Sequence, residues 1–378
     1  MKEKLVLFFK QETVLCAALS LAAVSMFLVR PDREYTGYVD FRTLAILFCL
    51  MSVMAGLQKS GVFQWVAQAL LARVRKASQL VLILVLLCFF SSMLVTNDVA
   101  LITFVPFTFA VLGMAGPELK ARLLIPVVVL QTVAANLGSM LTPIGNPQNL
   151  YLYGRAGLSL GAFVLLMLPY AALALAVTVV WSLAQSRVCP GAVQVSFCEK
   201  ACLSGPRIRL ALYGVLFVLD LLTVARIIPC CVTLAMTVLT LLAADRSIFG
   251  RVDYSLLLTF VGFFIFIGNM GRLPAFSRML QRIVSGHEIL AGVAASQVIS
   301  NVPAALLLSG FTENFSDLII GVNLGGLGTL IASMASLISY KLIAREEGQR
   351  KGAYFRYFTA ANVCFLAILL VFALAFGG

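Results

Sequence analysis

The chain has 378 residues, of which 61% are hydrophobic and only 12% are charged, and its formal net charge is +12. Soluble domains carry about 25% charged residues, so this composition excludes an ordinary soluble domain and predicts a polytopic helical membrane protein. The basic residues lie in short loops between apolar runs, which favours membrane lipid over nucleic acid as their partner. The sequence contains no hydrolase triad, P-loop or metal-ligand pair, and therefore does not indicate an enzyme.

The predicted elements follow one another as apolar spans separated by short polar loops. Residues 1–35 contain a first membrane helix, 36–186 a first repeat, 187–206 a linker loop and 207–378 a second repeat. In each repeat an interrupted helix precedes a re-entrant hairpin, at 78–114 and 121–153 and then at 288–311 and 317–342, and the last helix covers 354–376. The predicted fold is an all-α polytopic membrane protein with two inverted-topology repeats and about 10–11 membrane segments.

Internal similarity between the two halves is the basis for the predicted repeats. Val39-Asp40-Phe41 matches Val252-Asp253-Tyr254 at an offset of 213, Asn97 matches Asn301 at 204, and Asn136-Leu137-Gly138 matches Asn323-Leu324-Gly325 at 187. Offsets that shrink in order are typical of diverged copies with small deletions. Asp40 and Asp253 each stand just before an apolar span, where an acid is expected to cap the helix N-terminus.

Each half carries a short polar interruption within an apolar run. These are Thr96-Asn97-Asp98 and Ser300-Asn301-Val302. Polar groups at membrane depth are costly unless they face protein or water, and half-helix ends offer N–H groups to an anion and carbonyl groups to a cation. We therefore expect the two interruptions to meet at a shared substrate or ion site, although they could instead only satisfy backbone groups at a kink.

Asp98 is the single most informative residue, because it is an acid inside an otherwise apolar run. It is predicted to be a cation ligand or a proton-exchanging group, or alternatively an N-cap for the helix over 99–114. Asn97, Asp98 and Asn301 form the candidate Na⁺ site. No other cofactor is expected.

The segment from Asn136 to Asn149 has the Gly and Pro density that breaks a helix and forms a re-entrant tip. Its polar side chains are expected at the site, and the matching second hairpin contributes two more, although small-residue helix packing is an equal alternative there. The predicted hairpin site residues are Asn136, Thr142, Gly145, Asn146, Asn149, Asn323 and Thr329. Asp220 and Arg226 flank the end of a span and are expected to pair or to reach toward the interface.

The motifs Thr-Asn-Asp-Val-Ala at 96–100, the segment 136–149 and Ser-Asn-Val-Pro-Ala-Ala at 300–305 resemble the ion transporter superfamily. That group includes divalent anion:sodium symporters, citrate permeases, arsenite permeases and one class of sodium/proton antiporters. The resemblance covers about 36–342 and implies a scaffold, a transport domain, a homodimer and an elevator motion. The dicarboxylate branch has Thr at the third motif position, where this chain has Asp98 and Val302, so the arsenite permease and antiporter branches look more similar.

The predicted function is a secondary active transporter in the cell membrane, coupled to Na⁺ or H⁺ and moving a small inorganic or carboxylate anion. Three alternatives remain open from the sequence. They are an efflux permease for arsenite or antimonite, an Na⁺/H⁺ antiporter in which Asp98 carries the whole reaction, and a channel.

Overall fold

The computed structural model describes residues 12–72, 74–187, 203 and 206–376. Within these residues every regular element is helical, and six helices are long and apolar enough to cross a membrane. These are the features that the composition predicts. The cysteine-containing part of the linker, with Cys189, Cys198 and Cys202, lies outside the described residues.

The helices of the first half are numbered in chain order. They are α1 (Thr13–Leu28), α2 (Tyr35–Tyr38), α3 (Phe41–Lys59), α4 (Val62–Leu71), α5 (Ala77–Ser91), α6 (Asn97–Met114), α7 (Pro117–Ser139), α8 (Pro147–Ala156) and α9 (Leu160–Ser186). The run 78–114 is thus two helices, α5 and α6, and the segment 121–153 is a pair of helices, α7 and α8, joined by the loop 140–146.

The second half follows the same order after its first two helices. Its helices are α10 (Arg207–Val224), α11 (Cys230–Ala244), α12 (Tyr254–Gly271), α13 (Pro274–Val284), α14 (Glu288–Ile299), α15 (Asn301–Ser309), α16 (Phe315–Leu324), α17 (Met334–Glu346) and α18 (Lys351–Phe376), with 3-10 turns at Arg246–Arg251 and Gly348–Arg350. The segment 317–342 is again a helix pair, α16 and α17.

The two predicted aspartate caps are present. Asp40 Oδ1 accepts a hydrogen bond from the Thr43 N–H at the start of α3, and Asp253 Oδ1 accepts one from the Leu256 N–H at the start of α12, both at 3.0 Å. Each carboxylate satisfies one of the N–H groups that a helix start leaves without a partner. The matched caps fix where two corresponding spans of the halves begin.

Both predicted interruptions are real breaks in helix geometry. Between α5 and α6 the chain leaves the helix, and Thr96 adopts an extended conformation before Asn97 resumes it. Between α14 and α15 a single residue, Ser300, makes the break with φ of 74°. A non-glycine residue at positive φ costs free energy and persists only where its surroundings hold it.

The same main-chain hydrogen bond holds each break against its own helix pair. The Asn97 N–H donates to the Gly145 carbonyl at 3.2 Å, and the Asn301 N–H donates to the Ala332 carbonyl at 3.0 Å. The donors differ by 204 residues (301 − 97) and the acceptors by 187 (332 − 145), which are the offsets that the sequence comparison predicts. Each broken helix therefore begins again at the tip of the hairpin in its own half.

The helices form two packed groups. In the first, α3 packs against α10 and α11, and α1 packs against α12. In the second, α7 packs against α5, α6, α9 and α18, while α14 packs against α15 and α16. Helix α8 joins the halves, because it contacts α15 and α16 as well as α3.

An ion pair between the last residue of α3 and Asp245, which directly follows α11, ties the two helices together. Lys59 Nζ lies 2.7 Å from Asp245, whose carboxylate also accepts hydrogen bonds from Ser247 and from the Tyr213 hydroxyl. Burial raises the pKa of the Asp245 carboxyl, but the hydrogen bonds from these three neighbours outweigh it and lower the pKa to about 2. The ordinary pKa of this carboxyl is 3.8.

We expect Asp245→Asn to lower the stability of the detergent-solubilised protein near neutral pH by about 1 kcal/mol, because the group is partly exposed. An acid with a lowered folded pKa stabilises the fold above its unfolded pKa, and that contribution is lost as the pH falls through the folded pKa. The melting-temperature difference between native and variant protein should thus shrink below pH 4 and vanish near pH 2. Glu118→Gln, at an exposed residue, is the control. A difference independent of pH would contradict this assignment.

Candidate functional site

A buried cluster of asparagines lies where the two breaks meet the two hairpins. Asn97 Nδ2 donates to Asn136 Oδ1 at 2.9 Å, and the same oxygen accepts a hydrogen bond from Ser333 Oγ at 2.9 Å. Asn136 Nδ2 in turn donates to the Gly326 carbonyl at 3.4 Å. A side chain on Gly326 would lie 3.1 Å from Asn301 Nδ2, so the amide of the second break borders the same cluster. Groups from both halves therefore build one polar centre.

A second direct bond between the halves lies beside this centre. Asn323 Nδ2 donates to Asn149 Oδ1 at 2.7 Å, and Asn149 Nδ2 reaches toward the Ser139 and Thr142 carbonyl groups at 3.4 Å. Asn146 Nδ2 donates to Ser139 Oγ. Burying so many amides requires that their partners be supplied by protein. The predicted residues Asn97, Asn136, Asn146, Asn149, Asn301 and Asn323 are thus brought together.

We expect Asn323→Ala to destabilise the protein, because it leaves the buried Asn149 oxygen without its donor. The cost of such interhelical bonds in membranes averages about 0.6 kcal/mol and reaches about 1.7 kcal/mol. A double-mutant cycle with Asn149→Ala, measured by thermal unfolding in detergent, should give a coupling in this range. Asn362→Ala should add independently to Asn149→Ala, since Asn362 is buried and donates only to its own helix at the Phe358 carbonyl. Zero coupling for the first pair would contradict the cross-half bond.

Asp98 lies in the first turn of α6, but it is not the N-cap. The cap position is Thr96, which makes no side-chain capping bond, and the Asp98 N–H donates to Asn97 Oδ1 at 2.9 Å. Within the described part of the chain, Asp98 Oδ1 is buried with no hydrogen-bond partner. The positive end of the α6 dipole favours a negatively charged carboxylate at this position. The Asp98 oxygen without a hydrogen-bond partner is therefore available as a ligand for a cation.

A cavity of about 200 Å³, named here the Asp98 cavity, joins this acid to the first hairpin. Its polar lining combines two oxygen-bearing groups from the break, one amide each from α3 and from the hairpin, and two charged groups from the second half. These polar lining residues are Gln58, Thr96, Asp98, Asn146, Arg251 and Asp253. The remaining lining is apolar, including Leu50, Met54 and Ile144. A small-molecule site is typically an apolar cavity in which a small number of polar groups converge.

Two predicted residues of the first hairpin hold its loop in place. Thr142 Oγ1 donates to the Met93 carbonyl in the first break, and the Gly145 carbonyl accepts the Asn97 N–H. A side chain on Gly145 would lie 2.2 Å from the Ser139 carbonyl oxygen, so only glycine fits. Both residues therefore position the site through the backbone.

The second break lines a cavity of its own, of about 320 Å³, which Ser300, Val302 and Pro303 border. Asp253 lines both this cavity and the Asp98 cavity, so the cap of α12 lies between the two breaks.

Thr329 does not lie where the sequence predicts, at the polar centre. It is exposed at the second hairpin, where its N–H and hydroxyl bond to Gln297 at 2.9 and 3.2 Å instead of joining the asparagine cluster.

A third cavity, of about 280 Å³, named here the Arg155 cavity, follows the Asp98 cavity along the same helices. The Arg155 cavity borders residues 40–46, at the start of α3, whereas the Asp98 cavity borders residues 47–58 of the same helix. Leu150 of α8 lines both cavities. Arg42 and Arg155 are exposed in the Arg155 cavity, whereas Arg251 and Asp253 are exposed in the Asp98 cavity. The two cavities therefore open to the surface at opposite ends of α3, and Leu150 lines both.

Several residues of this site escape prediction from the sequence. Ser139 and Ser333 look like ordinary small residues of helix interfaces, and Asp253 is predicted only as a cap. Gln148 is buried, and neither its Oε1 nor its Nε2 has a partner among the described residues. Gln148 is nevertheless among the polar side chains that the sequence predicts at this hairpin tip.

The arrangement supplies oxygens for a cation and N–H groups for an anion. Asp98, Thr96 and Asn146 offer carboxylate, hydroxyl and amide oxygens to one cavity, which are the ligand types of hard cations. Helices α6 and α15 both begin at an asparagine beside a hairpin tip, where the positive end of the helix dipole attracts anions, although the Asn97, Asp98 and Asn301 N–H groups already donate to protein oxygens. Both kinds of ligand can therefore be held together.

Comparisons with known proteins give a consistent picture. The model of the citrate transporter family CitMHS matches residues 5–317. The chain is 31% identical over 328 residues to the inner membrane protein YbiR of Escherichia coli K12, covering 84% of each chain. It is 30% identical to the uncharacterized transporter MJ0456 of Methanocaldococcus jannaschii over 80% of this chain and 81% of the relative. A shorter match, 31% over 153 residues, is to the silicon efflux transporter LSI3 of rice, covering 39% of this chain and 30% of LSI3.

Proposed function

The chain belongs to the citrate transporter family, a group of membrane transporters within the ion transporter superfamily, and on this premise we propose that it is a cation-coupled secondary transporter for a small inorganic or carboxylate anion. It is a multi-pass membrane protein and not an enzyme. The observation that carries the proposal is the asparagine centre built jointly by both halves, with the free Asp98 oxygen in the adjoining cavity.

In this proposal Asn97 and Asn301 hold the substrate between the two breaks, and Asp98 binds the coupling Na⁺ or H⁺. Support comes from the polar groups themselves, because buried amides and an acid at membrane depth are costly without a functional partner. Discontinuous helices in both halves of a chain are the pattern of binding sites at the interface between transporter repeats.

We further propose an elevator-type motion between two inverted repeats. The supporting feature is the order of the two cavities, since the tip of α8 would move along α3 from the level of the Asp98 cavity to that of the Arg155 cavity. Eight residues separate Asn146 from Gly154, which corresponds to about 12 Å along a helix. A homodimer is the assembly that the superfamily resemblance implies.

A second candidate substrate class has its own support. The partial similarity to a silicon efflux transporter, together with the Asn-Asp pair at 97–98, favours efflux of a neutral or weakly acidic inorganic hydroxide such as arsenite, antimonite or silicic acid. Such a solute offers several hydroxyl groups, which the amide donors and acceptors of the asparagine centre complement.

The test is a thermal-stability screen of the purified protein in detergent. The panel contains Na⁺, Li⁺, citrate, succinate, sulfate, phosphate, arsenite and silicic acid, each across pH 5.5–8.5. A ligand that binds only the folded state raises the melting temperature by mass action. We expect one anion to stabilise the protein in an Na⁺- or pH-dependent manner, and uptake of that anion into proteoliposomes should follow the same cation gradient.

Other outcomes select the alternatives. Stabilisation by a neutral hydroxide alone favours the efflux permease, and a response to Na⁺ or pH with no substrate favours the antiporter. Flux in proteoliposomes that ignores every ion gradient favours a channel and contradicts coupled transport.

A further inference from the structure

Asp220 is a buried acid that the proposed transport site does not use. The sequence suggests that Asp220 and Arg226 pair or reach toward the interface near a span end, and in the structure they do not pair. Asp220 is 1% exposed, and neither carboxylate oxygen has a hydrogen-bond partner among the described residues. Arg226 instead lies over the Tyr153 ring, 5.2 Å from its centroid, and donates to the Tyr153 carbonyl at 3.3 Å. Arg226, the expected partner of Asp220, therefore interacts with Tyr153 instead.

Helix α3 presents a thiol and a hydroxyl to this acid. Gly56 lies against the Tyr213 ring so closely that a side chain on Gly56 would come within 2.4 Å of it. Helices α3 and α10 are antiparallel. Seven residues, or two helical turns, separate Asp220 from Tyr213 on α10 and Cys49 from Gly56 on α3. Asp220 and Cys49 therefore lie opposite each other, two turns away from the contact between Gly56 and Tyr213. Ser52, three residues after Cys49, shares its face of α3. Ser52 is buried, and its hydroxyl has no partner in the described part of the chain.

Helix α11 presents a further hydroxyl. The Thr223 and Thr233 hydroxyl groups meet at 2.5 Å, which sets the register of α10 against α11. Thr237, one turn after Thr233, therefore faces the turn of α10 that carries Asp220. The Thr237 hydroxyl is buried beside the Cys49 thiol, a weak hydrogen-bonding group, and no oxygen or nitrogen of the described residues bonds to it. Three helices thus converge with four oxygens that no oxygen or nitrogen of the described residues satisfies.

An isolated carboxylate at this depth would be strongly unfavourable, and one positive charge removes that cost. The nearest ion pair cannot supply the charge, since Lys59 is bound to Asp245 at the Tyr213 end, two turns away. The other titratable group beside Asp220 is the Cys49 thiol of α3, and a thiol carries no positive charge. The charge must therefore come from outside the protein.

We propose that Asp220, with the hydroxyl groups of Ser52 and Thr237, binds a single positive charge, either H⁺ or Na⁺, where α3, α10 and α11 meet. Carboxylate and hydroxyl oxygens suit Na⁺, and the same hydroxyls can donate to and accept from a protonated carboxyl group. The site is separate from Asp98 and belongs to the other packed group of helices. It does not depend on the proposed transport function, because it stabilises the fold whether or not the chain moves an anion.

The test separates the two acids in the purified full-length protein. Melting temperature is measured against Na⁺, with choline as the replacement cation, and against pH without Na⁺. The proteins are the native form, Asp98→Asn, Asp220→Asn and the double variant, with Glu118→Gln as an exposed control. We expect Asp98→Asn to retain a rise in melting temperature with Na⁺ or with falling pH, and the double variant to lose it.

The two arms identify the ion. A response to Na⁺ at fixed pH that requires Asp220 assigns Na⁺, and a response to pH alone that requires Asp220 assigns a proton. Identical responses of Asp98→Asn and of the double variant would overturn the proposal. If Asp220→Asn does not fold, Thr237→Val in the Asp98→Asn background takes its place. A weakened response then supports the site and an unchanged one overturns it.

Discussion

Asp98→Asn is expected to reduce cation-coupled uptake to the level of empty liposomes while the protein still inserts and folds. The substitution keeps the shape of the side chain but removes the charge from the only acid in the first turn of α6. Without the carboxylate, the Asp98 cavity loses the group that we propose to bind Na⁺ or H⁺, so the cation gradient no longer drives the substrate. The measurement is gradient-driven uptake into proteoliposomes, beside a melting curve that reports folding.

Asp317→Asn is the matched control for this prediction. Asp317 also lies in the first turn of a helix, α16, but its carboxylate accepts a hydrogen bond from Asn314 and lines neither the Asp98 nor the Arg155 cavity. Uptake by this variant should remain near that of the native protein. Full gradient-driven activity of Asp98→Asn would remove Asp98 from the mechanism and leave the asparagine centre as the only candidate.

Gly138→Ala is expected to cause the largest loss of folded protein. The new side chain would lie 2.0 Å from the Phe89 carbonyl oxygen and 2.6 Å from Ser92 Oγ, where α7 crosses the end of α5 beside the first break. Because the first of these atoms belongs to the backbone, the two helices must separate. Such overpacking costs about 1–3 kcal/mol or more. We expect a marked fall in membrane expression and in the melting temperature of what remains.

Gly161→Ala provides the comparison. This glycine lies in α9, and a side chain there would meet no atom within 4 Å. Alanine has a helix propensity about 1 kcal/mol better than glycine, so the variant should be as stable as the native protein or slightly more stable. Equal loss in both variants would mean that the close approach at Gly138 is not what limits folding.

Local features of the fold could be predicted from the sequence, because their causes are local. The aspartate caps at Asp40 and Asp253 follow from an acid directly before an apolar run, and the breaks at 96–98 and 300–302 follow from polar groups in hydrocarbon-length segments. The offsets between the halves also reappear in the two hydrogen bonds that hold Asn97 and Asn301.

Contacts between distant segments could not be predicted in this way. The bond between Asn149 and Asn323 joins residues 174 positions apart, and nothing in either neighbourhood names the other as its partner. Ser333 donates a hydrogen bond to Asn136 in the other half, although in the sequence it looks like an ordinary serine at a helix start. Thr329 satisfies the pattern of a hairpin residue but lies at the surface, because pattern alone does not fix which side of a glycine-rich turn faces inward.

Leu150 lines both of the cavities that open at opposite ends of α3, and this arrangement has an electrical consequence for the transport that we propose. A membrane voltage falls mainly across the insulating part of a path, so most of the potential would lie over the part of the protein between the two cavities. Each elementary charge moved from one cavity to the other would then gain or lose about 2.3 kcal/mol at about 100 mV. Coupled transport that moves a net charge should therefore change its rate with voltage.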